Sequence, residues 1–289
     1  MTEPQTATPL DTAAGICCVT VLCGSQLAQA RILAASLKRL HPGWHRVAVL
    51  ADAPPADLPV DSAGEWFDEV MPAYAPRAAG AAAEGTAARD AAQAVALQRL
   101  HAAGHAVIVV LAPGVVVLNP LTPLIDGLAT QAIIVVPHQL AASARIREGG
   151  VFTPDCVAFR AGAQGARFVA EWRRHLLTHQ GQAWLDRVPA LFDGVHILKD
   201  PGWHLSSRNL AERTLAFDAT GQLLADGCLV RTFDGADLLA HGECLRDDAL
   251  SYSVAGHDLA CWYRLEVARL EDATLPRVDA PRAAPDRSQ

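Results

Sequence analysis

The stretch His105–Pro120, HAVIVVLAPGVVVLNP, decides the fold. Val107 to Leu111 is an unbroken run of β-branched and aliphatic residues, far too short to span a bilayer. A strand with one wet face alternates polar and apolar side chains. A run without alternation belongs to a strand covered on both faces, as in the middle of a helix-flanked sheet. Pro113-Gly114 then stops the pairing, so the chain turns at the carboxyl end of that strand before a second apolar run, Val115 to Leu118. In open α/β sheets that edge is where ligands bind. The functional site is therefore expected around Ala112–Gly114.

On the amino-terminal side, Ile16 to Leu22 reads as another buried strand, running into Cys23-Gly24-Ser25. Gln26 to His41 puts Leu27, Ala30, Leu33, Ala34, Leu37 and Leu40 on one helical face. Ser25 is the expected N-cap, and Lys38, Arg39 and His41 suit the negative end of the helix dipole. Arg46 to Leu50 is the next strand and ends at Ala51-Asp52, ahead of a Pro-rich loop. Strand, helix and strand in this order with short connections form a parallel crossover unit. Ala78 to Ala88, rich in Ala and Gly, reads as a loop leading into a helix that runs to about His101.

Beyond the central strand, Ala132 to Val136 reads as a buried strand, Leu140 to Gly150 as a surface excursion and Val157 to Phe159 as a short strand. Ala166 to His179 is amphipathic, with Phe168, Val169, Trp172 and Leu176 on one side. His196 to Leu198 is expected as the final short strand before a DPGW turn at Asp200–Trp203, and Leu259 to Leu270 as a closing helix with Trp262 and Tyr263 packed inward. The fold class is α/β, a mostly parallel central sheet with helices on both faces. One domain is expected over residues 15–272, between a disordered lead (1–14) and a Pro- and Ala-rich disordered tail (273–289).

Composition narrows the function. The 289 residues carry a net charge of −7, so no basic excess exists to neutralise nucleic-acid phosphates, although a small phosphorylated ligand held by local groups is allowed. The polar start of the chain has no basic, apolar signal pattern and no apolar run reaches membrane-spanning length, so a cytoplasmic protein is expected. Seven cysteines, an odd number without a C-x-x-C pair, read as buried small hydrophobes in a reducing compartment. Cys17 and Cys18, adjacent in a strand, point to opposite faces.

Several residue groups carry candidate chemistry. A lone Gly24 is neither G-x-G-x-x-G nor a P-loop, which argues against nicotinamide and P-loop chemistry. His175 and His179 stand one helical turn apart but flank the apolar stripe and lack an intervening H-E-x-x-H glutamate, so they read as a solvated face. Asp193, His196 and Asp200 cluster near a strand end as site-edge groups. Asp52, at the carboxyl end of the second strand, reads equally as a ribose- or base-binding carboxylate and as a loop cap. Ser25, His204 and Asp186 form no recognisable nucleophile triad.

Taken together, these segments resemble a family of bacterial glycosyltransferases of the A-type (GT-A) fold that build surface polysaccharides and glycoconjugates. The resemblance runs from about Ile16 to His241. It rests on QLAQARILAASLKRLHP, VLAD, VVVLNPL, VAFRA, FVAEWRRHL and, most specifically, QAWLDRVPALFDGVHILKDPGWHLSSRNLAERTL. It implies a nucleotide-diphospho-sugar donor bound at the strand ends, with a divalent metal, Mg or Mn, bridging its diphosphate. Its donor-binding positions would be Cys23, Gly24, Ser25, Asp52, Ala112, Gly114, Asp155 and Thr232.

The departures concern chemistry. The family reads D-P-D after the central strand and holds the metal with those carboxylates, whereas this chain has Ala112-Pro113-Gly114. An Asn-Thr-Gly or Asn-Leu-Gly signature becomes Thr153-Pro154-Asp155, and the acidic residue before Gln182 is Gly181. The histidine of a late F-H-F-S-G phrase becomes Thr232, and a lysine in the helix before the central strand becomes Gln93. Polar site positions are lost while apolar and turn-forming positions persist. Three expectations follow in order. The first is a nucleotide-sugar-binding homologue without metal ligands or metal-dependent catalysis, acting beside an active glycosyltransferase. The second is an active, metal-independent transferase that uses an arginine, among Arg89, Arg145, Arg147 and Arg231, in place of the cation. The third is a binding module for another small ligand. Asp155 or Asp234, each also readable as a turn residue, would create a relocated metal site if it folded back beside Gly114.

Overall fold

The computed structural model describes residues 15–52, 66–73, 86–140, 150–178, 184–240 and 254–271. The expected lead and tail, Arg145, Arg147, His179, Gly181 and most of the Ala78–Ala88 and Leu140–Gly150 segments lie outside them.

In chain order, β1 (Ile16–Leu22) leads through a 3-10 turn into α1 (Leu27–Leu40), followed by β2 (His45–Leu50) and β3 (Glu69–Pro72). Next come α2 (Thr86–Ala102), β4 (Val107–Leu111), β5 (Val115–Val117), α3 (Thr122–Thr130) and β6 (Ile133–Pro137). β7 (Phe152–Arg160), α4 (Ala163–Leu176), the short α5 (Val188–Leu191) and β8 (Val195–Ile197) follow. The remainder comprises β9 (Leu205–Ser206), β10 (Leu215–Phe217), β11 (Leu223–Ala225), β12 (Cys228–Leu229), β13 (Thr232–Asp234), α6 (Ala236–Ala240) and α7 (Val254–Glu271).

The seven-stranded sheet runs β3-β2-β1-β4-β7-β6-β8. Only the pairings of β7 with β4 and β6 are antiparallel, so six strands share one direction. β4 occupies the middle, buried at every residue, as its unbroken apolar run requires. Its side chains divide between two cores. Ile108 and Val110 join α2 and α4 on one face, where Leu97, Leu100, Phe168 and Trp172 pack. Val107, Val109 and Leu111 meet Leu33 and Leu37 of α1 and Leu124 and Leu128 of α3 on the other. Cys17 and Cys18 fall on opposite faces in the same way. The six described cysteines are free thiols.

Four expectations need correction. Ser25 does not cap α1; it sits exposed in the 3-10 turn, and Gln26 Oε1 accepts from the Cys23 amide at 3.0 Å instead. Val157–Phe159 is the end of a nine-residue strand. β5 leaves the main sheet to pair with β13, itself joined to β9. His196–Leu198 is not the last strand: β9 to β13 follow it, each two or three residues long and too short to show a period.

β7 carries the irregularity that matters most. Its second half pairs with β4 and β6, but the β6 register shifts between Val135 and Pro137, leaving Thr153, Pro154 and Asp155 in a bulge. Proline is tolerated at such a bulge, and the bulge re-aims the following side chain.

Candidate functional site

A cavity of ≈ 120 Å³ opens at the carboxyl end of β4, lined by Ala112, Pro113 and Gly114. This is the edge that the apolar run and its turn indicated. The other walls come from distant parts of the chain: Gln26 ahead of α1, Arg89 on α2, His138 after β6, Asp155 in the β7 bulge and His204, Ser206 and Arg208 around β9. Asp234 and Asp237 close it from β13 and α6.

The tripeptide that lacks carboxylates is filled from next door. β13 runs antiparallel to β5, with Asp234 opposite Val115 and the Gly235 amide donating to Gly114 O at 3.1 Å. A Cβ on Gly114 would lie 2.5 Å from Asp234 Oδ1 and 2.6 Å from Ala236 Cβ. The glycine is therefore required by the aspartate beside it. Asp234 Oδ1 also accepts from the Ala236 amide at 2.9 Å.

A parallel substitution holds one strand further on. Thr232, where the resemblance expects a histidine, is fully buried, and its Oγ1 accepts from the His204 amide at 2.7 Å. The imidazole is thus present just ahead of β9, the strand that pairs with β13, not on β13 itself. His204 adopts φ 48°, a left-handed conformation uncommon for a residue with a Cβ. Neighbouring groups hold it there. Asn209, 1% exposed, donates through Nδ2 to the carbonyls of His204 (2.9 Å) and His138 (3.0 Å) and accepts from the Ser206 amide at 2.9 Å. Arg213 donates to Trp203 O at 3.0 Å and to Pro201 O. The DPGW turn forms as expected, with Gly202 and Trp203 amides donating to Asp200 Oδ1 and O. Asn209 and Arg213 escaped the sequence reading because ordinary turn and surface residue types carry no signal of a tertiary clamp.

Charge in the cavity is unevenly distributed. Arg89 Nη2 donates to Asp155 Oδ1 at 3.2 Å, and Arg208 Nε donates to Asp237 Oδ2 at 3.0 Å. Asp234 has no such guanidinium. Burial, with Asp155 nearby, pushes its carboxyl up to about 7, against the pull of the Ala236 amide. Burial also acts against ionised Asp155, but Arg89 and then His204 and His138 bring its carboxyl below the ordinary range. His204 is held neutral: burial lowers it to about 4 despite Asp155. Its Nδ1 has no hydrogen-bond partner among the described residues, and the side chain is almost wholly buried, at 2% exposure. His138 stands edge-on to it, ring centroids 5.9 Å apart.

Among the described residues, the group able to share a metal ion is Asp155, His204 and Asp234, whose donor atoms all lie within 4.8 Å of one another. The orphaned buried imidazole nitrogen and the space kept open by Gly114 both fit a cation there.

The other expected site residues sit apart. Gly24 is buried and its amide donates to Asp52 Oδ1 at 2.8 Å, so one Asp52 oxygen caps the β1 turn. Cys23 is half-buried and Ser25 exposed; Gln26 is the residue of this turn that lines the cavity. Gln93 is buried on α2. Arg231 donates to Pro120 O and lies over Trp203, away from the cavity, whereas Arg89 is the one of the expected arginines among the described residues that lines it. Asp193, His196 and Asp200 do not line it either. Asp186 accepts from the Val151 and Phe152 amides, far from any triad with Ser25 and His204.

A mostly parallel sheet flanked by helices, with a charged cleft at the carboxyl end of its middle strand, is an open α/β architecture with its cleft at the strand edge where such folds bind ligands. No protein-family model matches the chain, and no curated protein matches it in sequence. Among solved structures it is similar to the galactosyltransferase LgtC in complex with donor and acceptor sugar analogs. That match has 13% identity and a TM-score of 0.46, over 91% of this chain and 97% of that one. It is also similar to the glycosyltransferase GlyE of Streptococcus pneumoniae TIGR4, at 14% identity and a TM-score of 0.42, over 65% of this chain and 47% of GlyE. The bifunctional glycosyltransferase WbbM matches at 14% identity and a TM-score of 0.44, over 68% of this chain and 40% of its own.

Proposed function

We propose that the chain is a glycosyltransferase that binds a nucleotide-diphospho-sugar in the β4-edge cleft and transfers its sugar to a polysaccharide or glycoconjugate acceptor. The observation that carries this reading is the convergence of Arg89, Arg208, Asp155, His204 and Asp234 beside a turn that has itself lost its carboxylates. In the transfer, the bond from the anomeric carbon to the diphosphate oxygen breaks and the bond to an acceptor oxygen forms. The acceptor proton passes to a cleft carboxylate, and the nucleoside diphosphate departs. Arg89 and Arg208, both in the cavity wall, would supply positive charge against the negative charge that the departing diphosphate develops. The cavity is smaller than the roughly 300–1,000 Å³ of whole-ligand pockets. It suits the diphosphate, with the nucleoside lying along the edge toward Gly24 and Asp52.

A second reading, a nucleotide-sugar-binding homologue that performs no transfer and acts beside an active relative, is favoured by Ala112-Pro113-Gly114 itself. Calorimetric titration of the full chain with UDP-, GDP- and CMP-sugars, followed by a release assay for free nucleotide, separates the two. Binding with acceptor-stimulated nucleotide release supports transfer; binding with no release supports the second reading. No binding to any of the nucleotides sinks both.

A further inference from the structure

The polar groups of the cleft are not arranged as a plain anion pocket. Three carboxylates, those of Asp155, Asp234 and Asp237, face two guanidiniums, those of Arg89 and Arg208. The guanidiniums are matched to Asp155 and Asp237. Asp234 is left without a cationic partner, with a buried imidazole and a second carboxylate at close range. Partly buried carboxylates this close raise each other's energy unless a cation is shared between them.

We infer that Asp155, His204 and Asp234 form a divalent-cation site relocated from the turn after β4 onto the β7 bulge and the β9–β13 pair. One imidazole nitrogen and two carboxylate oxygens are a donor set for Mn²⁺ or Zn²⁺, since Mg²⁺ favours oxygen alone. Ligands about 2.0–2.2 Å from a common ion lie close to one another, as donor atoms within 4.8 Å can after small side-chain adjustment. Three protein ligands leave coordination positions open for diphosphate oxygens or water. Thr232 and Asn209 act as positioning residues, fixing the backbone of His204 in its left-handed conformation. Gly114 keeps the Asp234 carboxylate in place by offering no Cβ.

The site's purpose rests on the donor reading above, but its existence is tested without any nucleotide. Mn²⁺ is titrated into the purified full chain, and the free aqueous Mn²⁺ signal is followed by electron paramagnetic resonance, with Zn²⁺ as competitor. Saturable binding of one ion per chain is expected. Asp234→Asn, nearly isosteric, should weaken it by about tenfold or more, as should Asp155→Asn. Asp193→Asn, an exposed carboxylate remote from the cavity, should leave it unchanged. His204→Ala is compared only if its circular dichroism matches the parent, so the two aspartate variants carry the test. Absence of saturable binding, or binding indifferent to both aspartate substitutions, overturns the inference. Nucleotide binding without metal binding overturns this site and leaves the donor reading intact; metal binding without nucleotide binding does the reverse.

Discussion

Replacing Gly114 by alanine tests the relation between the vacant turn position and its neighbours directly. The added Cβ would stand 2.5 Å from Asp234 Oδ1, 2.6 Å from Ala236 Cβ and 3.0 Å from Ala236 N. Ordinary carbon contacts begin near ~3.5 Å, so each neighbour must move by several tenths of an ångström or more. Asp234 cannot swing away freely, because its Oδ1 holds the Ala236 amide at 2.9 Å. Nor can the Ala236 backbone, which opens α6 beside the Gly235–Gly114 hydrogen bond. Overpacking of this kind costs about 1–3 kcal/mol. For a domain of this size that corresponds to a Tm lower by about 2–10 °C. Thermal and guanidinium unfolding would measure it, alongside Mn²⁺ binding. Asp234→Ala in the same chain removes the nearer obstruction but not Ala236 Cβ. The double variant should therefore lose less than the sum of the singles, with a coupling of about 0.5–2 kcal/mol. If Gly114→Ala unfolds like the parent and binds Mn²⁺ equally well, the glycine is not required by Asp234 and the relocation argument loses its steric basis.

Two further outcomes follow from buried polar partners. Thr232→Val keeps shape but leaves the buried His204 amide without its acceptor, and should lower stability by about 1–3 kcal/mol in denaturant unfolding. Arg46, 7% exposed, holds both oxygens of Asp68 at 2.7 and 2.9 Å, and Asp68→Asn should destabilise by about 1–3 kcal/mol at pH 7. The hydrogen bonds from Arg46 depress the Asp68 carboxyl, so its contribution is full above the unfolded value near ~3.9 and lost as pH falls through the folded one. The gap between the melting curves of parent and variant should narrow as pH falls below ~3.9; a gap that stays constant across the acid range would refute the assignment.

Those parts of the fold written in local chemistry were legible. Val107–Leu111 and Ile16–Leu22 appear as strands over the same residues that their apolar runs mark, because burial on both faces leaves no other pattern. The DPGW turn was legible because Asp200 caps its own turn. Thr153-Pro154-Asp155 was not, because a proline inside a strand argues against the strand unless a bulge accommodates it, and bulges are settled by the partner's register. Ser25 misled for the opposite reason: its side chain suits a cap, but the side chain that reaches the turn amide belongs to Gln26. His204 carried no signal, since its left-handed backbone depends on Thr232 and Asn209 from outside its own stretch.

A relocated cation site would make motif loss a weak guide to loss of chemistry. A motif records which strand supplies a side chain, whereas a ligand responds only to where the donor atom ends up. Across an antiparallel pair, opposed residues lie about 4.5–5.5 Å apart, within the reach of a carboxylate. Asp234 can therefore stand in for a carboxylate at Gly114, and the smaller residue becomes obligatory once it does. Across the neighbouring parallel pair, Thr232 gives up the imidazole but anchors the backbone of the residue that now carries it. On the relocated-site inference, each exchange would keep the type of group in the cleft and change its address by one strand. Such exchanges must come in pairs, because either partner alone would produce a clash or a gap. That pairing predicts that Gly114→Asp will be tolerated only together with removal of the Asp234 side chain. The double variant Gly114→Asp/Asp234→Gly should recover both stability and Mn²⁺ binding relative to Gly114→Asp alone. Failure of the second substitution to rescue the first would mean that the two positions do not share one function.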